Sequence, residues 1–462
     1  MTVTTATALE VRYPYTGEVV GSVPLVGAEE VRRTLEVAGG TRVELSRHER
    51  SSVLERVART IEAGGDELAA RITRESGLAL ADTRHEVARA VDVFRLASHE
   101  ALRDDGLMWA GDVSPNGRPR RAFTTREPVR LVAAITPFNH PLNQVAHKLA
   151  PAIAAGAPIV LKPSEKTPLA ALWLAGAVVD AGYPRDALAV VTGDKEVVLD
   201  EMLAHDAVEV VMFTGGVEVG AMIAARAGYR RTVLELGGND PLIVLADADL
   251  DEAAALAVSG GTKNSGQRCT AVKRVISVSD VADELARRIA ERAEGLKVGD
   301  PLDPDTDVGT LIDEEAAIRV EERVAGAIAD GARLLHGGER SGAQLVPPVL
   351  ENVHPESELV REETFGPAIP VITVADLDEA IAVANGTRYG LSAGVVSDDL
   401  TAVTRCIREL RCGTVNVRAE PGFGTEATPF GGIKASGLGG KEGVVEAIRA
   451  MTNVKLATIP WP

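Results

Sequence analysis

Cysteine is scarce in this chain: three residues, Cys269, Cys406 and Cys412, in 462. Three cannot form a disulfide framework in a protein of this size, and no CxxC pair occurs. The eight histidines show no metal-ligand spacing, so no metal site is expected. Positive charge is also short. Lys plus Arg number 49 against 67 Asp plus Glu, a formal charge of −18. That balance argues against nucleic acid as a partner, because phosphate binding needs a basic footprint. It leaves room for a small anionic substrate, which needs only a local cluster of arginines. Long apolar runs are missing too. The longest, Leu149 to Leu161, spans 13 residues, contains Pro and Gly, and is too short to cross a bilayer. The opening MTVTTATALE has neither a basic n-region nor an apolar h-region, so no signal peptide is read and a reducing cytoplasm is the expected home.

What is present is ordinary for a globular enzyme: 45% hydrophobic and 25% charged residues. The length implies two large domains, with room for a minor extra element. Residues 50–103 carry apolar positions at helical spacing, as in Val53, Val57 and Ile61. From about 128 the pattern turns to strands alternating with helices, through VRLVAAITPFNHP, APIVLKPSEKTP, DALAVVTGD and VEVVMFTGGVEVG. A second such series runs from DPLIVLADADL to GTVNV. Alternation of this kind predicts an α/β fold with doubly wound parallel sheets. The glycine-rich segment 421–443 reads as a functional loop, and the terminal NVKLATIPWP as an exposed strand of the kind that pairs with another subunit.

Five stretches bear on chemistry. In KNSGQRCTAV, Cys269 follows Gly266, Gln267 and Arg268, closer to the setting of a reactive thiol than of a packed one. LELGGNDP sets Glu235 between two leucines; a carboxylate there could serve as a base, or could pair with a lysine at a strand end. TPFNHPLN puts Asn139 after a strand, where its amide could donate to an oxyanion or simply form a turn. In MFTGGVEVG, Gly215 and Gly220 flank a strand-to-helix turn suited to a pyrophosphate, although the spacing departs from G-x-G-x-x-G and a turn without a ligand has equal weight. Lys162 and Glu165, in LKPSEKTP, stand where a ribose could be held, or in a solvated turn. Cys406 and Cys412 read as packed thiols in or beside a helix.

Taken together and in this order, these stretches with EETFGP at 362–367 and PFGGIKASGLG at 429–439 resemble the aldehyde dehydrogenase superfamily across essentially the whole chain. YPYTGEVVGSVP near the start looks like that family's N-terminal strand. The resemblance implies an NAD-binding domain of residues 1–111 and 129–236, a related α/β catalytic domain of 237–430, and a small strand-rich oligomerisation arm of 112–128 and 431–462. It implies Cys269 as nucleophile, Asn139 as oxyanion donor and Glu235 as the base that deacylates the thioester. Lys148 matches a family lysine behind the site and has equal standing as a structural helper. Lys162, Glu165, Gly215, Gly220, Glu363 and Phe365 would hold the cofactor. The Glu165 carboxylate, set to repel a 2′-phosphate, favours NAD, with NADP as the alternative. A homodimer or homotetramer is expected.

The motifs look most like phosphonoacetaldehyde dehydrogenases and, next, non-phosphorylating glyceraldehyde-3-phosphate dehydrogenases. By that resemblance Arg89, Arg268 and His140 would bind the substrate's anion. Relatives of this kind tend to carry another arginine where this chain has Gly424, and Arg418 could stand in for it. The substrate could therefore be phosphonoacetaldehyde or a related semialdehyde, lactaldehyde or glyceraldehyde 3-phosphate. Competing readings are an acylating enzyme that uses coenzyme A, a thiol hydrolase, and an inactive relative with a structural or binding role.

Overall fold

Five short apolar stretches form one parallel sheet. Their spatial order is Leu188–Val190, Ile159–Lys162, Val132–Ile135, Val210–Thr214 and Arg231–Glu235. The computed structural model in which this is seen describes residues 8–440 and 442–461. The inner strands are buried along almost their whole length and apolar up to their last residue, because helices cover both faces of the sheet. The chain runs outward from Val132–Ile135 in one direction, then returns to build Val210–Thr214 on its other side. That reversal is a topological switch point, and the crevice beyond the carboxyl ends of these two strands is where such sheets bind ligands.

The second sheet has seven strands, in the order Arg333–His336, Val349–Glu351, Ile369–Val374, Val272–Val278, Asp240–Val244, Ser392–Val396 and Thr414–Val417. Only Arg333–His336 runs antiparallel to its neighbour. Its centre is also buried on both faces. Arg274 lies inside this domain, with its guanidinium donating to the carbonyls of Asn239, Val383 and Ala384. Those three bonds satisfy a charge that burial would otherwise penalise by on the order of several kcal/mol. Both halves thus have the doubly wound α/β character expected from the sequence.

The helical region expected as one stretch over 50–103 is two helices, Arg47–Ser76, itself kinked at Gly65, and Leu80–Glu100. A capping box between Ser46 and Glu49 starts the first, and Gly77, left-handed at φ 74°, ends it. The pair carries two buried carboxylates that cap other helices. Glu75 accepts the N–H groups of Leu169 and Ala170, at the start of Leu169–Asp180. Glu86 accepts those of Leu142 and Asn143, at the start of Asn143–Ala155. Each satisfies N–H groups that a helix leaves unpaired. YPYTGEVVGSVP also departs from the single strand expected: it forms a turn and the second strand, Val19–Pro24, of a hairpin begun by Ala8–Arg12.

Met108–Ala110, Arg120–Pro128 and Thr452–Pro460 make a three-stranded antiparallel sheet at the periphery. Val454, Leu456, Ile459 and Trp461 are exposed along it or just beyond its end. No described helix is long and apolar enough to cross a membrane.

Candidate active site

The loop holding Cys269 is set by an unusual turn. Asn264, Ser265 and Gly266 all have positive φ, at 54°, 52° and 68°. A left-handed conformation costs a non-glycine residue about 1–2 kcal/mol, so the turn needs outside support. The partly buried Asp82 carboxylate accepts the Asn264 N–H at 2.8 Å. The Asn264 side chain donates to the Asn139 carbonyl at 2.9 Å. A Cβ on Gly266 would collide with the Gly366 backbone, so the turn lies tight against the segment that carries Glu363. Burial pushes the Asp82 carboxyl up to about 6, while its N–H bond and the charge of Arg268 pull the other way.

Asn139 is bound into the same loop. Its Nδ2 donates to the Gln267 carbonyl at 2.7 Å, two residues before Cys269. A side-chain amide has two N–H donors, and this bond uses one. Its orientation is therefore fixed with one N–H still to give. Cys269 itself is partly exposed. Burial of the thiol group and the nearby Asp240, Glu363 and Glu235 carboxylates push it up to about 12, with Lys273 opposing. The thiol therefore rests protonated at neutral pH.

Glu235 ends the last strand of the five-stranded sheet and is buried. Its carboxylate lies against Gly431 of PFGG, where a Cβ would stand 2.7 Å from Oε1 and φ is 142°. Only glycine fits there, so the PFGG loop closes over the carboxylate. Lys148, also buried, donates to Thr214 at 2.9 Å and pairs with buried Glu442. It joins the end of the Val210–Thr214 strand to the far side of the same loop.

Lys273 is a residue that the sequence reading passed over. It is buried, and its ammonium donates to the carbonyls of Gly266 at 2.8 Å and Thr364 at 2.7 Å. It thereby clamps the nucleophile loop to the loop of Glu363 and Phe365. Burial brings its pKa down to about 8, against the pull of Glu363 and the Cys269 sulfur. Glu363 accepts the Gly238 N–H at 3.1 Å, and burial raises its pKa despite Lys273. Phe365 meets Phe138 edge to face, with ring centroids 5.8 Å apart. Glu363 and Phe365 line one cavity, of about 330 Å³, with Phe138 and Gln267.

The cofactor positions fit a dinucleotide. Gly216 caps the ten-residue helix Val217–Arg226 without any side-chain bond to its first turn, so no side chain occupies the N–H groups that would face a pyrophosphate. A Cβ on Gly220 would strike Leu236, and one on Gly215 would stand 2.6 Å from the Phe213 ring. The glycines let the turn sit close under the switch point. Lys162 and Glu165 meet at 3.1 Å at the end of the Ile159–Lys162 strand, a cation and an anion at the place expected for a ribose.

A second cavity, of about 240 Å³, opens on the other side of the Cys269 loop. Arg89, His140, Arg268 and Cys269 all line it. Arg89 Nε donates to Glu426 Oε1 at 2.6 Å, and His147 Nε2 lies 2.5 Å from Glu426 Oε2. Arg268 faces Glu420 at 3.3 Å, and Lys263 reaches the same carboxylate at 2.9 Å. Burial would raise Glu426, but the hydrogen bond and charge of His147, with those of Arg89, hold it down to about 2. Glu420 is lowered against burial, chiefly by Arg268. The sequence reading passed over both glutamates; the available signal was that Glu426 is one of only two acids, with Glu442, in the glycine-rich segment 421–443. Arg418 does not line this cavity: it pairs with Glu252 at 2.9 Å and Asp398 at 2.8 Å on the surface.

A model of the aldehyde dehydrogenase family matches residues 2–457. The 3-sulfolactaldehyde dehydrogenase of Priestia aryabhattai is 37% identical over 457 residues, covering 99% of this chain and 96% of that protein. The aspartate-semialdehyde dehydrogenase 1 of Pseudomonas canavaninivorans is 39% identical over 454 residues, covering 98% and 96%. Among solved structures, the NADP-dependent glyceraldehyde-3-phosphate dehydrogenase of Bacillus halodurans C-125, complexed with NADP, superposes with a TM-score of 0.96. It is 36% identical, over 99% of this chain and 96% of that one.

Proposed function

The chain belongs to the aldehyde dehydrogenase family, and from that premise we propose that it oxidises a small anionic aldehyde to its carboxylic acid, releasing the acid to water. Its cofactor is NAD(P); the Glu165 carboxylate beside Lys162 favours NAD. When bound, the nicotinamide supplies the hydride acceptor. Cys269 Sγ, once deprotonated, forms a bond to the aldehyde carbon, and the carbonyl oxygen becomes an oxyanion. The second N–H of the Asn139 amide and the Cys269 backbone N–H stabilise that oxyanion. Loss of hydride from the carbon leaves a thioester on Cys269. Glu235 takes a proton from the water that attacks the thioester, and the C–S bond breaks to return the thiolate. The buried carboxylate favours this hydrolytic route over acyl transfer to coenzyme A. Residues 1–111 and 129–236 would carry the cofactor and 237–430 the nucleophile. The arm of 112–128 and 431–462 would join a homodimer or homotetramer. In support, Thr452–Pro460 pairs on one side only among the described residues, which leaves an edge suited to a second copy.

The observation that carries the anionic substrate is that Arg89 and Arg268 line the same cavity as Cys269. A guanidinium binds a phosphonate, sulfonate or carboxylate through a fork of N–H donors. Phosphonoacetaldehyde remains one member of this class. The names of the relatives add a sulfonate, sulfolactaldehyde, and a carboxylate, aspartate semialdehyde. Removing either arginine as Arg89→Ala or Arg268→Ala is expected to cost about ten- to a hundredfold in kcat/KM for anionic aldehydes relative to propanal, from roughly 1.5–3 kcal/mol per charged bond. Equal losses on charged and neutral aldehydes would make the arginines structural and sink the anionic reading.

A further inference from the structure

We propose that the cavity before Cys269 is built for an aldehyde that carries a hydrogen-bond donor, a hydroxyl or an ammonium, as well as an acid group, and that Glu426 is the residue that reads the donor. Only the acid half rests on the anionic-aldehyde reading.

A pocket made for an anion alone would present donors and little else. This one is balanced. Each arginine is paired with a glutamate, Arg89 with Glu426, which lines the cavity, and Arg268 with Glu420, which does not. Glu426 stays ionised down to low pH, held by His147 and Arg89, so it is an acceptor at every pH of interest. An ionised carboxylate has about four sites for incoming donors. Arg89 and His147 take one at each oxygen, and the side chain keeps 10% of its surface exposed. Arg89 commits only its Nε to this pair among the described bonds, so its two Nη groups are left for an acid.

A bare phosphonate or carboxylate would bring like charge against Glu426, whereas an aldehyde bearing a donor as well as an acid suits both Glu426 and Arg89. Glu426 sits on a loop with Gly422 and Gly424 as neighbours, where small residues leave a ligand space to approach it.

The test uses pairs of aldehydes that differ by the donor alone. Aspartate semialdehyde and succinic semialdehyde differ by an amino group, and lactaldehyde and propanal by a hydroxyl. The enzyme is expected to favour the donor-bearing member of each pair in kcat/KM, by about tenfold or more. Glu426→Gln should shrink both ratios toward one. Unchanged ratios, or equal losses on both members of a pair, would overturn the proposal. If Glu426→Gln gives no turnover at all, Glu426→Asp decides, because it keeps the charge and withdraws it: reduced ratios support the proposal and unchanged ratios overturn it. Lactaldehyde and propanal carry no acid. A failed anionic reading would therefore show as indifference to charge between the pairs, while the donor ratio within this pair still tests Glu426.

Discussion

Two cavities flank the loop that carries Cys269, and they are built differently. On the side of Glu363 and Phe365, side chains are tied to backbone. Lys273 donates to two carbonyls, Glu363 accepts a backbone N–H, and Asn139 is fixed on the Gln267 carbonyl. On the side of Arg89 and Arg268, side chains are tied mainly to side chains, through Glu426, His147, Glu420 and Lys263, with one further bond from Arg268 to the Gly260 carbonyl. A backbone-tied group cannot be exchanged without moving the loops that hold the nucleophile. A side chain paired with another on a glycine-rich loop can be exchanged locally. The first construction suits chemistry common to a family, and the second suits a choice of substrate.

The contrast breaks most plainly at the residue between the cavities. Cys269→Ala should abolish aldehyde oxidation while NAD binding, followed by titration calorimetry or fluorescence, stays within a few-fold. More than a trace of turnover would remove the nucleophile from the account and leave the two cavities without a shared centre.

A smaller effect sharpens the backbone-tied side. With the thiol held near 12, the thiolate fraction and hence the rate of iodoacetamide alkylation should climb about tenfold per pH unit from about pH 6 to 8 and keep rising, without a plateau, to about pH 10. Lys273 favours the thiolate while charged and titrates near 8, so the climb should become shallower above that pH. In Lys273→Met the rate should start several-fold lower, and the slope should stay near tenfold through pH 8. A change in slope that persists in Lys273→Met would show that Lys273 only packs the loops together.

The sequence showed the two sheets because a strand buried on both faces is written as an unbroken apolar run, as in VAAI and the IVL of IVLK. It singled out Glu235, Cys269 and Asn139 as candidates because each stands in a stretch whose spacing is distinctive when read with the others. The break at Gly77 was hidden, since the apolar periodicity of Arg47–Ser76 resumes in Leu80–Glu100 and one glycine resembles a tolerated interruption. Glu426 and Lys273 were hidden for another reason. Their partners are hundreds of residues away or are backbone carbonyls: Arg89 lies 337 residues from Glu426 and Thr364 lies 91 from Lys273. Pairing of that kind leaves no local pattern. Arg89 was legible only through resemblance, and the carboxylate that meets it became visible only once the chain was folded.

The central claim is that Cys269 carries the acyl group and Glu235 releases it to water. The most direct measurement mixes Glu235→Gln with NAD and an anionic aldehyde and follows NADH in the first seconds, with intact-protein mass taken at the end of the burst. One NADH per site should appear, followed by turnover lower by about a hundredfold or more, and the acyl mass should map to Cys269. A steady rate like that of the unmodified enzyme, with no acyl group on Cys269, would contradict it.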